Sequence, residues 1–276
     1  MSIPLEPADP RGESPEGSDE LRRITAQVDA ERKREHTLAS VKRVVAIHSG
    51  KGGVGKTFLT VNLAYALEER GLDVAILDAD VDCPNVPKFL GMTSRLFVDK
   101  DKRFIPVNHR GVPIVSMGLT RDDEAEPFLI RGPAKHRVAI DLLMNTDWGA
   151  LDILLIDLPP GTADVPLSLF EFGGVEAVLF VTSPQKEAIT DTRKSIRMAK
   201  TFGTHILGIV ENMSGEVFGT GKAAALAIEE GIPFLGSIPL SAEILAANER
   251  GDTIFTDVSM EEIVKPILDA IIAEGH

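Results

Sequence analysis

Residues 44–67 read VVAIHSGKGGVGKTFLTVNLAYAL: four apolar residues, a glycine-rich loop, then an amphipathic helical run. Within it, Gly50, Lys51, Gly52, Gly53, Val54, Gly55, Lys56 and Thr57 match GxxxxGK[ST], set between a strand and a helix as that phosphate-binding motif requires. Glycines let the backbone fold closely around phosphate oxygens, so consecutive N–H groups and a helix N-terminus all point at the anion. Lys56 is therefore expected to bridge the β- and γ-phosphates of a nucleotide, and the Thr57 hydroxyl to ligate Mg²⁺.

Outward from this loop, short apolar runs alternate with helical ones. Val44 to Ile47, Val74 to Leu77, Ile153 to Ile156, Val178 to Val181, Ile206 to Val210 and Phe234 to Ile238 read as strands buried on both faces. Thr57 to Arg70, Glu187 to Phe202 and Ala223 to Glu230 read as helices, each stopped by a glycine at Gly71, Gly203 or Gly231. The pattern predicts an α/β fold, a mostly parallel doubly wound sheet flanked by helices. Residues 91–135 are less regular and read as an insertion between two such units. Residues 1–18 are rich in Pro, Glu, Gly, Ser and Asp and are expected to be disordered. Residues 19–40 are highly charged, with Leu21, Ile24 and Val28 at helical spacing. The chain thus divides into a charged tail, 1–40, and a P-loop ATPase domain, 41–276.

Acids at the ends of buried strands complete the expected site. The strand at Val74 runs into Asp78, Asp80 and Asp82 at its carboxyl end, where ligands bind in open α/β sheets. The run LDILLIDLPPGT ends its apolar stretch at Asp157, the expected partner of Mg²⁺ and its bound water, and the following Gly161 and Thr162 form a small turn able to move when a γ-phosphate leaves. Asn212, in the turn after Ile206 to Val210, carries an amide able to donate to and accept from the edge of adenine.

Composition excludes several classes. With 29 basic and 42 acidic residues the net charge is -13, which argues against binding nucleic acid or anionic lipid through a basic surface. No stretch resembles a signal peptide or a membrane span, so a cytoplasmic location is expected. A single cysteine, Cys83, allows no four-thiolate site within one chain and reads as a small buried hydrophobe. His36, His48, His109, His136, His205 and His276 are scattered without metal-ligand spacing.

The form GKGGVGKT, with its second lysine Lys51, resembles the deviant Walker A motif of the MinD/ParA/nitrogenase-iron-protein superfamily. That resemblance implies a homodimer in which Lys51 reaches the partner's nucleotide, and it selects Asp80 to orient the attacking water, Asp78 as support and Asp82 as a loop acid. Seven stretches are similar to the narrower Mrp/ApbC family of iron-sulfur cluster carrier ATPases. They are SGKGGVGKT, LDADVDCPNVPKFLG, IRGPAKHRVAIDLL, DWGALDILLIDLPPGTADVPLSL, VTSPQKEAITDTRKSI, GIVENMSG and GIPFLGSIPLSAEI, covering roughly 42–255. The family implies ATP, Mg²⁺, hydrolysis, and delivery of iron-sulfur clusters to client proteins. Its usual Cys-x-x-Cys pair after the ENMS stretch is missing, because Ser214-Gly215-Glu216-Val217-Phe218 stands there, which counts against direct cluster binding. Ala163 stands where the family usually has PPGTGD. The competing expectation is a MinD/ParA-like ATP-dependent switch that recruits or positions a partner protein. A third class, phosphoryl transfer to a small molecule, fits the P-loop but shows no acceptor site. The C-terminal stretch SMEEIVKPILDAIIAEGH carries one lysine among several acids, unlike a membrane-docking helix.

Overall fold

The computed structural model describes residues 37–120, 132–255, 257 and 260–273. The tail reading therefore lies outside the described residues up to position 36, as do His36 and His276.

Among the described residues there are ten strands and eight α-helices, alternating over much of the chain. In chain order they are β1 (Val41–His48), α1 (Lys56–Glu68), β2 (Val74–Asp78), α2 (Val86–Phe89), β3 (Phe97–Val98), β4 (Phe104–Ile105), β5 (Val107–His109), β6 (Val112–Ser116), α3 (Gly132–Met144), β7 (Leu151–Asp157), α4 (Asp164–Phe172), β8 (Ala177–Thr182), α5 (Lys186–Thr201), β9 (His205–Ser214), α6 (Lys222–Glu230), β10 (Phe234–Pro239), α7 (Ala242–Arg250) and α8 (Glu261–Ile272). Eight strands form one sheet in the order β10-β9-β8-β1-β7-β2-β6-β5. All its pairs are parallel except the edge pair β5 and β6.

Side-chain alternation along the strands divides the interior in two. Val45 and Ile47 of β1, Ile76 of β2 and Leu155 of β7 face a core shared with α1 and α8. Val44, Ala46, Leu77 and Ile156 face the opposite core, closed by α3, α4, α5 and α6. All six predicted strands and three predicted helices form.

Two expectations change. Residues 91–135 are more than an insertion, because Val112–Ser116 joins the main sheet in parallel register with β2, Asp78 opposite Ser116. The five-residue run carries Pro113, and a proline, unable to donate to a ladder, obscures a strand pattern in sequence. Helix α1 is also not half-solvated: it is buried from Phe58 through Leu67, because α8 and the loop at Ile254 and Phe255 cover the side turned away from the sheet. Its polar positions are clasps. Asn62 Nδ2 donates to the Phe58 carbonyl at 2.9 Å while its Oδ1 accepts from Ile254 N at 2.6 Å.

Candidate functional site

The carboxyl ends of β1, β7 and β2 open onto a cleft of about 970 Å³, lined among others by Gly53, Lys56, Thr57, Asp80, Pro160 and Met213. β1 is central, and its chain leaves the sheet at Ser49 directly into the glycine loop. Close approach explains two of those glycines. A Cβ on Gly50 would lie 2.1 Å from the backbone of Asp191 and Thr192 in α5, and Gly55 has φ of 91° with Asn212 Nδ2 2.1 Å from where its Cβ would be.

Asp157 is the hub. It is 1% exposed, and its Oδ1 lies 2.6 Å from Lys56 Nζ and accepts from the Thr60 hydroxyl at 2.9 Å. Its Oδ2 accepts from the Thr57 hydroxyl at 2.7 Å. Lys56, Thr57 and Asp157, singled out separately from sequence, thus converge. A buried charge pair of this kind is tolerated because further hydrogen bonds satisfy the carboxylate. Thr60 went unrecognised in sequence; its only signal was a polar residue four positions after Lys56 on the same helix face.

The adjacent acids divide their tasks. Asp78 is fully buried and accepts from Asp80 N and Val86 N, both at 3.2 Å, and from the Ser116 hydroxyl at 2.9 Å. Burial first, then the Asp157 charge, pushes it up to about 8. It therefore pins the loop 79–86 from beneath. Asp80 lines the cleft, accepts from Cys83 N at 3.1 Å, and is raised chiefly by burial. Asp82, a loop acid as expected, pairs with Lys135 of α3 at 2.7 Å. Cys83 is exposed, not a buried hydrophobe: Ala79, Val81 and Val86 are the residues by which its loop enters the two cores, and Cys83 belongs to neither.

Lys51 is half-buried and its ammonium makes no ion pair among the described residues. Gly161 N donates to the Ser49 carbonyl at 2.8 Å, tying the turn after β7 to the glycine loop, while Thr162 is exposed beside it. Asn212 is 5% exposed and donates to the Val54 carbonyl at 2.9 Å. Glu211, also missed in sequence, is a buried charge in an apolar strand; its two oxygens accept from Gly221 N and Ala223 N at 2.7 Å, which caps α6. Among the described residues no group of three or more His, Cys, Asp or Glu could hold a metal. The Thr57 hydroxyl beside the Asp157 carboxylate does present the hard oxygen donors that suit Mg²⁺, which takes few protein ligands and completes its shell with phosphate and water.

His48, the last residue of β1, is fully buried between Phe170 and Phe180, with ring centroids 6.0 and 5.8 Å away. Neither ring nitrogen makes a hydrogen bond of normal geometry. Burial, reinforced by the Lys56 charge, holds it down at about 3 against an ordinary 6.5. The unfolded chain thus binds a proton between those values that the folded chain refuses, so stability is intact above the ordinary value and is lost as pH falls through the window. Each pH unit is worth about 1.4 kcal/mol at most. The melting temperature of wild type should fall more steeply than that of His48→Gln between pH 6.5 and 4; parallel curves would mean that the fold does not exclude the proton.

Comparison with known proteins bears on the family and the fold. Residues 40–274 match the family described as ParA, NUBPL iron-transfer P-loop NTPase. The chain is 36% identical over 266 residues to an iron-sulfur cluster carrier protein of Methanocaldococcus jannaschii, covering 92% of this chain and 91% of that one. Its fold is similar to that of a nucleotide-binding protein from Archaeoglobus fulgidus in complex with ADP, with TM-score 0.68, 31% identity, and coverage of 80% and 91%. The Pyrococcus furiosus cell division ATPase MinD is similar as well, with TM-score 0.62, 26% identity, and coverage of 83% and 96%.

Proposed function

The chain belongs to the NUBPL iron-transfer P-loop NTPase family, and from that premise we propose that it binds ATP with Mg²⁺ and hydrolyses it as a homodimer that serves iron-sulfur cluster assembly in the cytoplasm. The observation that carries the reading is the convergence of Lys56, Thr57 and Thr60 on the buried Asp157. Lys56 would move from Asp157 to the β- and γ-phosphates, and Thr57 and Asp157 would hold Mg²⁺, which neutralises charge on those phosphates. Backbone N–H groups of Gly52 to Thr57 would cradle the phosphate chain. Asp80 would orient the attacking water, Asn212 would read the adenine edge, and Gly161 with Thr162 would follow the γ-phosphate. Lys51, with no ion pair among the described residues, is the group free to enter a second copy's site.

The same chain does not hold a cluster in the way its family resemblance implies. The loop after β9 is a cysteine-free turn closed by two backbone bonds between Gly215 and Gly219 at 2.7 and 3.0 Å, and two copies of Cys83 supply two thiolates where four are needed. We therefore assign it an assembly role exercised through a client protein, with cluster ligands supplied by that client.

Anaerobic reconstitution with iron and sulfide tests this, reading iron, acid-labile sulfide, the visible spectrum and Mg²⁺-dependent ATP turnover. Turnover without a stoichiometric cluster in wild type is expected. A cluster present in wild type and lost in Cys83→Ala would overturn the client-supplied ligand set. Turnover that responds to no cluster-accepting protein would favour the MinD-like switch, which the MinD fold similarity supports.

A further inference from the structure

Strand β9 contains one residue too many at its carboxyl end. Ile238 of β10 pairs with Asn212 and the next residue, Pro239, pairs with Ser214, so Met213 is skipped. Its φ is 60°, in the left-handed region that a long side chain adopts at a cost. The other two non-glycine residues with positive φ among the described residues, Lys102 and Arg110, lie in the connections between β3 and β4 and between β5 and β6, where turns demand it. No turn demands it of Met213. The residues on either side are each fastened: Asn212 to the Val54 carbonyl at 2.9 Å, and Ser214 through its hydroxyl to the Ile238 carbonyl at 3.2 Å and through its own carbonyl to Leu240 N at 2.9 Å.

A bulge bends a strand and re-aims one side chain, and bulges of this kind concentrate beside active sites. Strain held in place by its surroundings has the same distribution. Here the re-aimed side chain lines the nucleotide cleft, and its Cε methyl would lie 3.9 Å from a Cβ on Gly55. Gly55 is where the glycine loop turns into α1. It lies beside Asn212, whereas the carboxylate hub at Asp157 gathers Lys56 and Thr57.

We propose that the bulge at Met213 exists to set a thioether platform under the purine ring of the bound nucleotide. Met213 is then a base-contact residue in addition to Asn212, the latter reading the edge of the base and the former its face. A polarizable sulfur against an aromatic face is a favourable contact that tolerates small shifts of the ring. The assignment rests on the nucleotide reading of the site and adds to it where the base lies.

The test compares Mg-ADP with Mg-pyrophosphate, which has phosphates and no base, by calorimetric titration of wild type, Met213→Gly and Met213→Leu. Met213→Gly should bind ADP roughly threefold to tenfold more weakly, as loss of one sulfur-aromatic contact predicts, and bind pyrophosphate as wild type does. Its melting temperature should equal or exceed that of wild type, since glycine accepts a positive φ without strain. Met213→Leu, which keeps the bulk, should recover most of the ADP affinity. Unchanged ADP affinity in Met213→Gly, or equal weakening of both ligands, would overturn the platform while leaving the nucleotide site standing. Wild type binding neither ligand would remove the nucleotide reading itself, and the platform with it.

Discussion

Lys56→Ala is expected to abolish nucleotide binding, whereas Lys51→Ala is expected to keep it and lose hydrolysis. The two lysines stand five residues apart in one loop, but their surroundings differ. Lys56 is 8% exposed and locked to Asp157 at 2.6 Å. Removing it would delete the cation proposed to meet the phosphates and leave the Asp157 charge buried with only hydroxyl partners, a stability loss of about 3 to 5 kcal/mol for a buried pair broken on one side. A lower melting temperature follows from that loss, and the missing cation should separately weaken nucleotide binding on the order of a hundredfold or more. Lys51 has no intrachain ion partner among the described residues, so Lys51→Ala should leave the melting curve and the ADP affinity where they are. If its ammonium enters the second copy's site, turnover falls by roughly a thousandfold or more, the range for a cation supplied in trans to a migrating phosphoryl group. Calorimetric titration, a melting curve and phosphate release on both variants separate the cases. Equal loss of binding in both would sink the shared-site model.

The sequence is most legible where the chemistry is contiguous. Eight residues from Gly50 to Thr57 carry the phosphate loop in themselves, and the parallel sheet announces itself because strands buried on both faces read as unbroken apolar runs. Legibility fails where a role depends on a neighbour distant in the chain. Thr60, Asn62 and Tyr65 drew no reading of their own within the amphipathic run, yet each is a clasp: Thr60 to Asp157, Asn62 to Ile254, Tyr65 to His109. Ser116 could not be matched to Asp78 across 38 positions until β6 was seen beside β2. Cys83 looked like core because cysteine usually is, but it is Ala79, Val81 and Val86 that anchor its loop in the apolar interior while Cys83 stays outside. Met213 gave no signal, since a bulge is a property of two strands and appears in neither alone.

The clasp beneath that loop separates two acids two positions apart, and it frames the second large effect: Asp80→Ala should trap an ATP-bound dimer. Asp80 faces the cleft and gives one oxygen to Cys83 N, with the rest of its carboxylate free for solvent or substrate. Burial raises it, which moves a carboxylate toward the range in which it can take a proton from water at neutral pH. Loss of one such group costs on the order of a hundredfold to ten-thousandfold in rate and leaves the phosphate loop, Lys56 and Asp157 untouched, so ATP still binds and the dimer it closes is not dissolved by hydrolysis. Light scattering after ATP addition should report a persistent doubling of mass in Asp80→Ala and a transient one in wild type. Asp78→Ala should behave differently. Three hydrogen bonds are lost in the interior, two of them backbone donors left unpaired at about 1 to 3 kcal/mol each, so the loop 79–86 loosens and thermal stability falls before any question of turnover arises. Normal turnover in Asp80→Ala would move the water-orienting role to another group. Trapping by Asp78→Ala with an undiminished melting temperature would exchange the roles of the two acids.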